Sequence, residues 1–317
     1  MKKSLKCRCR IEESKRKFLT ESYQWSPDTN FAVLHSGENN TYVAETETAK
    51  YVLRRYRPGR FTLNQVRAEV AWIDELSEFI KIPRLNKNHF GDPVSVSDDD
   101  HRHIYTVSEF IEGDLIRNPT EADYYKLGRL MHALHLNSDQ ILKSETKDWE
   151  GWDRPKYNLK YIVEDGLQCL LDFKVLTSED KERCVKIAQN LTERWKYVES
   201  DPKFIHADLH FGNLLSTTSG FYYLDFDECG LGHRSIDLGV VRLHLRRTAN
   251  PEKGWKEFES GYGAAFVDED VRLGTALRIF YMTGKIPKRQ DIEELRLKSV
   301  DYIRRYLGYI ESEIFLT

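Results

Sequence analysis

Cysteine is scarce in this chain. There are five among 317 residues, an odd number, scattered at Cys7, Cys9, Cys169, Cys184 and Cys229. That distribution excludes a dense disulfide framework and points to reduced thiols in a cytoplasmic protein. The one close pair, Cys7-Arg8-Cys9, has no second Cys or His pair nearby to complete a metal site. Long apolar runs are missing as well. No stretch approaches the roughly 18 residues needed to cross a bilayer, and the opening residues lack the apolar segment of a secretion signal. Charge of one sign is not concentrated either: a net charge of -3 leaves no basic surface for nucleic acid. The basic opening (Lys2, Lys3, Lys6, Arg8, Arg10) is short and interrupted, and reads as a solvated arm. Internal repeats and low-complexity linkers are absent.

What is present suffices for a real core: 40% hydrophobic and 12% aromatic residues, in a chain long enough that two lobes are expected. The first lobe, residues 1–113, reads as β-rich. A short helix over 11–25 precedes strands at Phe31–Leu34, Thr41–Ala44 and Tyr51–Tyr56. Ser36-Gly37-Glu38-Asn39-Asn40 joins the first two strands as a hairpin, because Gly and Asn tolerate positive φ. Thr62 caps a helix from Leu63 to about Phe79, with Val66, Val70, Ile73 and Leu76 on one face. A polar turn at Asp98-Asp99-Asp100 and a strand from His103 to Phe110 complete five strands and one helix, ending near Gly113. The second lobe, 114–317, reads as helical. Thr120-Glu-Ala-Asp123 and Thr177-Ser-Glu-Asp180 are capping boxes, the second opening a helix that runs to about Val198. Further helices are expected near 255–266, 270–283 and from Asp291, the last burying Leu295, Val300, Ile303, Leu307 and Ile310. Strands interrupt this lobe only at 204–226.

The chemistry concentrates in His206-Ala-Asp-Leu-His-Phe-Gly-Asn213 and the following Leu224-Asp225-Phe226-Asp227. Phosphoryl transfer from a nucleotide needs such a set: one Asp to take the proton of the attacking hydroxyl, and an Asn and a second Asp to hold the metal ion. Asp208 is the candidate base. Asn213 and Asp225 are candidate ligands for Mg2+, which prefers hard oxygens and few protein ligands. Asp227 either adds an outer contact or caps the following turn, and His206 reads as a scaffold residue. On the nucleotide side, Ser36, Gly37, Asn39 and Asn40 offer a hairpin roof over the phosphates, although one glycine is a thin signal. A cation to grip phosphate comes from Arg54 or Arg55, which alternation places on opposite faces of one strand. Glu69, on the next helix, is its natural partner.

The chain resembles the aminoglycoside phosphotransferase and choline kinase superfamily, whose fold is similar to that of protein kinases. His206-Ala-Asp-Leu-His-Phe-Gly-Asn213 matches the pattern H-G-D-x-H-x-x-N, with Ala207 where Gly is frequent. Tyr223-Leu-Asp-Phe-Asp227 matches the metal-binding strand end, Leu127-Gly-Arg-Leu-Met-His-Ala-Leu-His135 a characteristic helix, and Glu109-Phe-Ile-Glu-Gly113 the hinge. The resemblance implies an α+β, protein-kinase-like two-lobed fold with a small β-rich N-lobe and a larger helical C-lobe. It implies ATP and Mg2+ as cofactors, Asp208 as catalytic residue, and Asn213 and Asp225 as metal ligands. Arg54 then stands where a phosphate-gripping Lys is common, with Glu69 beside it, while Glu109 and Ile111 lend backbone groups to adenine. Asp237 resembles the buried Asp that steadies the catalytic loop.

About eleven residues separate Asp225 from Asp237 and no Ala-Pro-Glu follows, so the long segment on which protein kinases dock peptides has no room. A small-molecule hydroxyl is the expected acceptor, among the aminoglycosides, sugars, amino alcohols and homoserine that the superfamily allows. Tyr56-Arg-Pro-Gly-Arg-Phe-Thr62 bears a thinner likeness to bacterial stress-response kinases. A protein Ser/Thr kinase and a nucleotide-binding module without turnover are the alternatives. Trp149, Trp152, Tyr157 and Tyr161 form an aromatic stretch that either cages a quaternary amine or packs a loop onto a helix.

Overall fold

The structure, a computed structural model, describes residues 11–37, 39–98, 102–143, 151–196 and 202–315. The basic arm, Cys7 and Cys9, Glu38 of the hairpin turn, Asp99, Asp100, Trp149 and Val198 lie outside the described residues. The chain divides into two compact units. The first comprises Met1–Asp114, Asp148–Asp153 and Leu215–Leu224; the second comprises Leu115–Lys147, Arg154–Leu214 and Asp225–Thr317.

The first unit opens with α1 (Glu13–Tyr23), then the antiparallel strands β1 (Asn30–Ser36), β2 (Asn40–Glu45) and β3 (Lys50–Arg55). Helix α2 (Leu63–Ser77) starts at a capping box in which the Thr62 hydroxyl accepts from Gln65 N at 3.2 Å while Thr62 N donates to Gln65 Oε1 at 3.0 Å. Short strands β4 (Leu85–Asn86) and β5 (Val94–Val96) and the longer β6 (Ile104–Glu109) complete a six-stranded sheet in which β6 pairs with β3, β4 and β5. The sequence suggests five strands; pieces of two and three residues are too short to show a period. Alternation along β3 puts Leu53 on one face with Tyr42, Tyr105, Val107 and Leu19 of α1. The other face carries Tyr56 with Val66, Val70 and Val94 against α2.

The second unit is helical, as its apolar spacing implies. Strand β7 (Asp114–Leu115) precedes α3 (Glu121–Lys143), capped by Thr120 and Asp123. A π-helical turn, Lys160–Glu164, runs into α4 (Asp165–Asp172), and α5 (Ser178–Trp195) follows its Thr177–Asp180 capping box. Then come β8 (Lys203–Ile205), β9 (Leu214–Thr217), β10 (Gly220–Tyr223) and β11 (Gly230–Gly232), of which β10 and all of β9 after Leu214 fall within the first unit. Strand β11 pairs antiparallel with β8, while β9 and β10 pair within a small sheet that also holds β7. Helices α6 (Ser235–Leu245), α7 (Pro251–Tyr262), α8 (Asp268–Lys285) and α9 (Glu293–Ile314) close the unit. Leu295 and Val300 of α9 are half-buried, whereas Ile303, Leu307 and Ile310 are fully so.

Helices α4 and α6 are additions to the sequence reading. In α6 nearly every residue from Ser235 to Leu245 is buried, so the helix is apolar all round and has no amphipathic stripe to detect. Helix α8 is similarly enclosed, and two glycines fix its position. A Cβ on Gly274 would stand 2.1 Å from Ser235 O of α6, and one on Gly284 would stand 2.5 Å from the Gly166 Cα of α4. Side chains on α8 between those points are held against the core with little freedom.

Candidate active site

Within the second unit, Asp237 anchors the loop that carries Asp208. Its Oδ2 accepts from His206 N at 3.0 Å and from His135 Nε2 at 3.0 Å, and its Oδ1 accepts from Ala207 N at 2.6 Å. His135 closes the network through Nδ1, 2.9 Å from Tyr262 OH. Burial holds His135 below the ordinary imidazole value, so the ring is neutral and donates through Nε2. Burial also works to raise Asp237, but the hydrogen bonds from His135 and His206 N prevail and hold it below the usual carboxylate range. These bonds explain how Ala207 occupies φ +61, a conformation a glycine would adopt freely. The strain, about 1–2 kcal/mol for a residue with a Cβ, is offset by two backbone donors reaching one carboxylate.

Replacing Asp237 by Ala is expected to destabilise the fold by about 3–5 kcal/mol, because it orphans a buried imidazole and two buried amides; urea unfolding measures this. Since the folded value is depressed, the contribution of Asp237 is present above its unfolded value of 3.8 and is lost as pH falls through the folded one. Wild type and variant therefore converge in stability in acid.

Asp208 itself is held from two sides. Asn213 Nδ2 donates to Asp208 O at 2.9 Å and to Oδ2 at 3.2 Å; Arg278 Nη2 of α8 donates to Oδ1 at 2.7 Å. The five-residue spacing thus brings Asp208 and Asn213 together, as expected. The Asn213 Oδ1 accepts no hydrogen bond among the described residues. His210 caps the short 3-10 turn Phe211–Asn213, its Nδ1 accepting from Gly212 N at 2.9 Å. Its proton is therefore assigned to Nε2, 3.8 Å from Asp208 Oδ2. His210 stacks on His244 of α6 with centroids 4.0 Å apart, and burial lowers both rings, His244 to about 3.

Asp225 follows β10 with φ +59 and an exposed side chain, a backbone state that Asp tolerates better than most residues. The turn after it is stapled by Arg154, whose Nε donates to Cys229 O at 3.0 Å and whose Nη2 donates to Phe226 O at 3.3 Å and to Asp227 O. The Phe226 ring lies 4.6 Å from that of His206. His206 is thus a fully buried scaffold residue that packs the Asp225 turn onto the Asp208 loop. Asp227 is buried beside this staple.

On the first unit, Arg54 and not Arg55 faces Glu69, with Nη1 3.6 Å from Oε1. Glu69 is buried and also accepts from Tyr56 OH at 2.9 Å. Arg55 instead lies over the ring of Tyr42. In the hairpin, Ser36 Oγ donates to Asn40 Oδ1 at 2.9 Å, Gly37 N to Asn39 O at 3.1 Å, and Asn39 Oδ1 accepts from Arg57 N at 3.1 Å. The turn is therefore shaped by its own polar groups. Glu109 Oε1 accepts from Arg84 N at 2.9 Å, and Ile111 is half-buried just beyond β6.

The aromatic stretch divides. Trp152 belongs to the first unit, where its Nε1 donates to Ala68 O and its ring meets Trp72 edge-on. Tyr157 and Tyr161 belong to the second, interlocked with Tyr281 at centroid distances of 5.2–5.5 Å. The rings fill one another's space, so this is packing and not an open cage. The sequence reading missed Arg278, Tyr281 and Lys285. Their signal was a lone Arg inside the apolar run Thr275–Gly284, since a charge there must be buried and paired.

A profile of the Phosphotransferase enzyme family (APH) matches residues 31–273. The chain belongs to that family. Among solved structures, a microcompartment-associated aminopropanol kinase superposes with TM-score 0.78 at 20% identity, covering 94% of this chain and 97% of that one. An amicoumacin kinase, hAmiN, in complex with AMP-PNP, Ca2+ and Ami, superposes with TM-score 0.76 at 19% identity, covering 96% and 94%. The fold is thus the α+β one of these protein-kinase-like phosphotransferases. The uncharacterized protein sll1119 of Synechocystis is 21% identical over 212 residues, 64% of this chain, and the match spans 56% of that relative's length.

Proposed function

We propose that the protein is an ATP-dependent, Mg2+-assisted kinase that moves the γ-phosphoryl group to a hydroxyl of a small molecule, with Asp208 as base. The observation carrying this reading is the Asp208 carboxylate, fixed between Asn213 and Arg278 on a loop locked by Asp237, in a member of the phosphotransferase family. In the step envisaged, the acceptor oxygen bonds to the γ-phosphorus and its proton passes to Asp208. The bond from that phosphorus to the bridging oxygen breaks, and ADP leaves. Arg278 orients the Asp208 carboxylate through Oδ1, and Asn213 Nδ2 braces the loop through Asp208 O.

Asn213 and Asp225 would hold Mg2+, which supplies positive charge to offset the phosphates. The donor set fits: an unused amide oxygen and an exposed carboxylate are hard ligands. Arg54, braced by Glu69, is assigned to the phosphates, with Ser36, Gly37, Asn39 and Asn40 above them and Glu109 and Ile111 toward adenine.

A small acceptor is favoured over a protein because the chain between Asp225 and Asp237 is consumed by the Phe226–Cys229 turn, β11 and the first residues of α6. Among the described residues no helix is long and apolar enough to cross a membrane. The test is ADP release on adding single hydroxyl compounds with Mg2+ and ATP, alongside thermal stabilisation by the nucleotide. The absence of both, with no stabilisation by nucleotide and no ADP release with any acceptor, would remove the reading.

A further inference from the structure

The side chains beyond Asp208 form a continuous charged line on one face of α8. Arg278, Tyr281 and Lys285 recur at helical spacing, so they share that face over two turns, about 10 Å of helix axis. Glu228 lies between the cations. Its carboxylate accepts from Lys285 Nζ at 3.0 Å on both oxygens, and its Oε2 accepts from Tyr281 OH at 2.7 Å and from Tyr157 OH at 3.2 Å. Lys285 and Tyr281 already occupy the Glu228 carboxylate, and the Tyr157 proton goes chiefly to Glu228 O at 2.6 Å, so the carboxylate has little capacity left to receive an ammonium group. Burial, reinforced by Glu228, pushes the Tyr157 and Tyr281 hydroxyls well above the ordinary phenol value, so they remain donors. Arg278, by contrast, has a donor to spare. Among the described residues Arg278 Nη1 has no hydrogen-bond partner; Glu228 Oε2 stands off at 4.0 Å, although the Arg278 side chain is only 6% exposed. The Lys285 side chain is 37% exposed. The family match ends at residue 273, before all three α8 residues.

We infer that the acceptor of this kinase carries an anionic group, a carboxylate or a phosphate, beside the hydroxyl that is phosphorylated, and that Arg278 and Lys285 select it. This rests on the kinase reading above. A guanidinium donates from both arms of a planar fork: with Nη2 on Asp208 and Nη1 on the acceptor anion, one side chain would register the hydroxyl against its base. The aromatic surround of Tyr157, Tyr161 and Tyr281 lowers the local dielectric and strengthens that contact.

The experiment uses matched acceptors that share one carbon chain and one hydroxyl and end in a carboxylate, a phosphate, an ammonium or a second hydroxyl. ADP release is followed with the full chain, Mg2+ and ATP. The carboxylate or the phosphate compound is expected to exceed its ammonium and neutral counterparts in kcat/KM by roughly 10- to 100-fold, the scale of one charge-assisted hydrogen bond, and the better of the two identifies the anion. In Lys285→Met the ratio of anionic to neutral acceptor should fall about tenfold, chiefly through KM, and Lys285→Arg should restore it. Thermal unfolding with and without Mg·ATP reports whether each variant is folded. Equal or better use of the ammonium compound, with ADP still released, overturns the inference and leaves the kinase reading intact. No nucleotide stabilisation and no ADP release with any compound overturns both.

Discussion

Asp208→Asn is expected to lower turnover by roughly 10²–10⁴, the usual worth of a positioned base, while nucleotide affinity stays near that of the wild type. The substitution is close to isosteric. An amide oxygen in place of Oδ1 still accepts from Arg278 Nη2, now 2.7 Å away, and the backbone carbonyl still accepts from Asn213 Nδ2. The loop should therefore keep its shape, since Asp237 holds it through His206 N and Ala207 N, independently of the Asp208 side chain. What disappears is the capacity to take a proton. Single-turnover phosphorylation and equilibrium nucleotide binding separate the two effects. A variant with unchanged turnover would remove Asp208 from its role. One that loses nucleotide binding equally would show that the carboxylate acts mainly by holding Asn213 in place. Arg278 sharpens this comparison, because in the Asn variant its charge has lost its nearest counter-ion. A modest loss of stability should accompany the loss of rate, as expected when one partner of a largely buried pair is neutralised.

The Asp208 loop was legible in the sequence because its parts are close along the chain: Asp208 and Asn213 need only a tight turn to meet, and Asp225 follows two short strands later. Arg54 and Glu69 were legible for a different reason. Strand alternation left two arginines to choose between, and the helix carrying Glu69 was unmistakable from Thr62 onward; the observed 3.6 Å contact selects Arg54. The far side of the site was not legible. Arg278, Lys285 and Glu228 come from a turn and a helix more than forty residues apart in sequence, and nothing local announces their meeting. Helix α6 escaped because its burial is nearly complete, which erases the periodicity by which helices are recognised. The close approach of α8 to α6 at Gly274 and to α4 at Gly284, which delivers Arg278 to Asp208, is a tertiary fact. A single glycine in an apolar run can signal such an approach only once its neighbours are known.

Asp225→Ala is expected to abolish the Mg2+-dependent part of nucleotide binding. With Asn213 it would make up the proposed donor set, so its loss would leave the ion a single protein oxygen from that pair. A cation that keeps most of its water depends heavily on each protein oxygen it has. Titration of ATP with and without Mg2+ measures the effect: in the wild type Mg2+ should tighten binding, and in the variant the two curves should coincide. The backbone complicates the Ala substitution. Asp225 sits at φ +59, where Ala is less at ease than Asp or Asn, so a loss of binding could arise from a displaced turn. Asp225→Asn resolves this, because it keeps a side chain suited to the left-handed region and one oxygen ligand while discarding the charge. If the carboxylate is the ligand, Asn should bind Mg·ATP more weakly than wild type yet more tightly than Ala, with a melting temperature close to that of the wild type. Normal Mg·ATP affinity in the Ala variant would remove Asp225 from the metal site. Equal loss in both variants with an unperturbed melting temperature would mean that the charge, and not the oxygen, is what the ion requires.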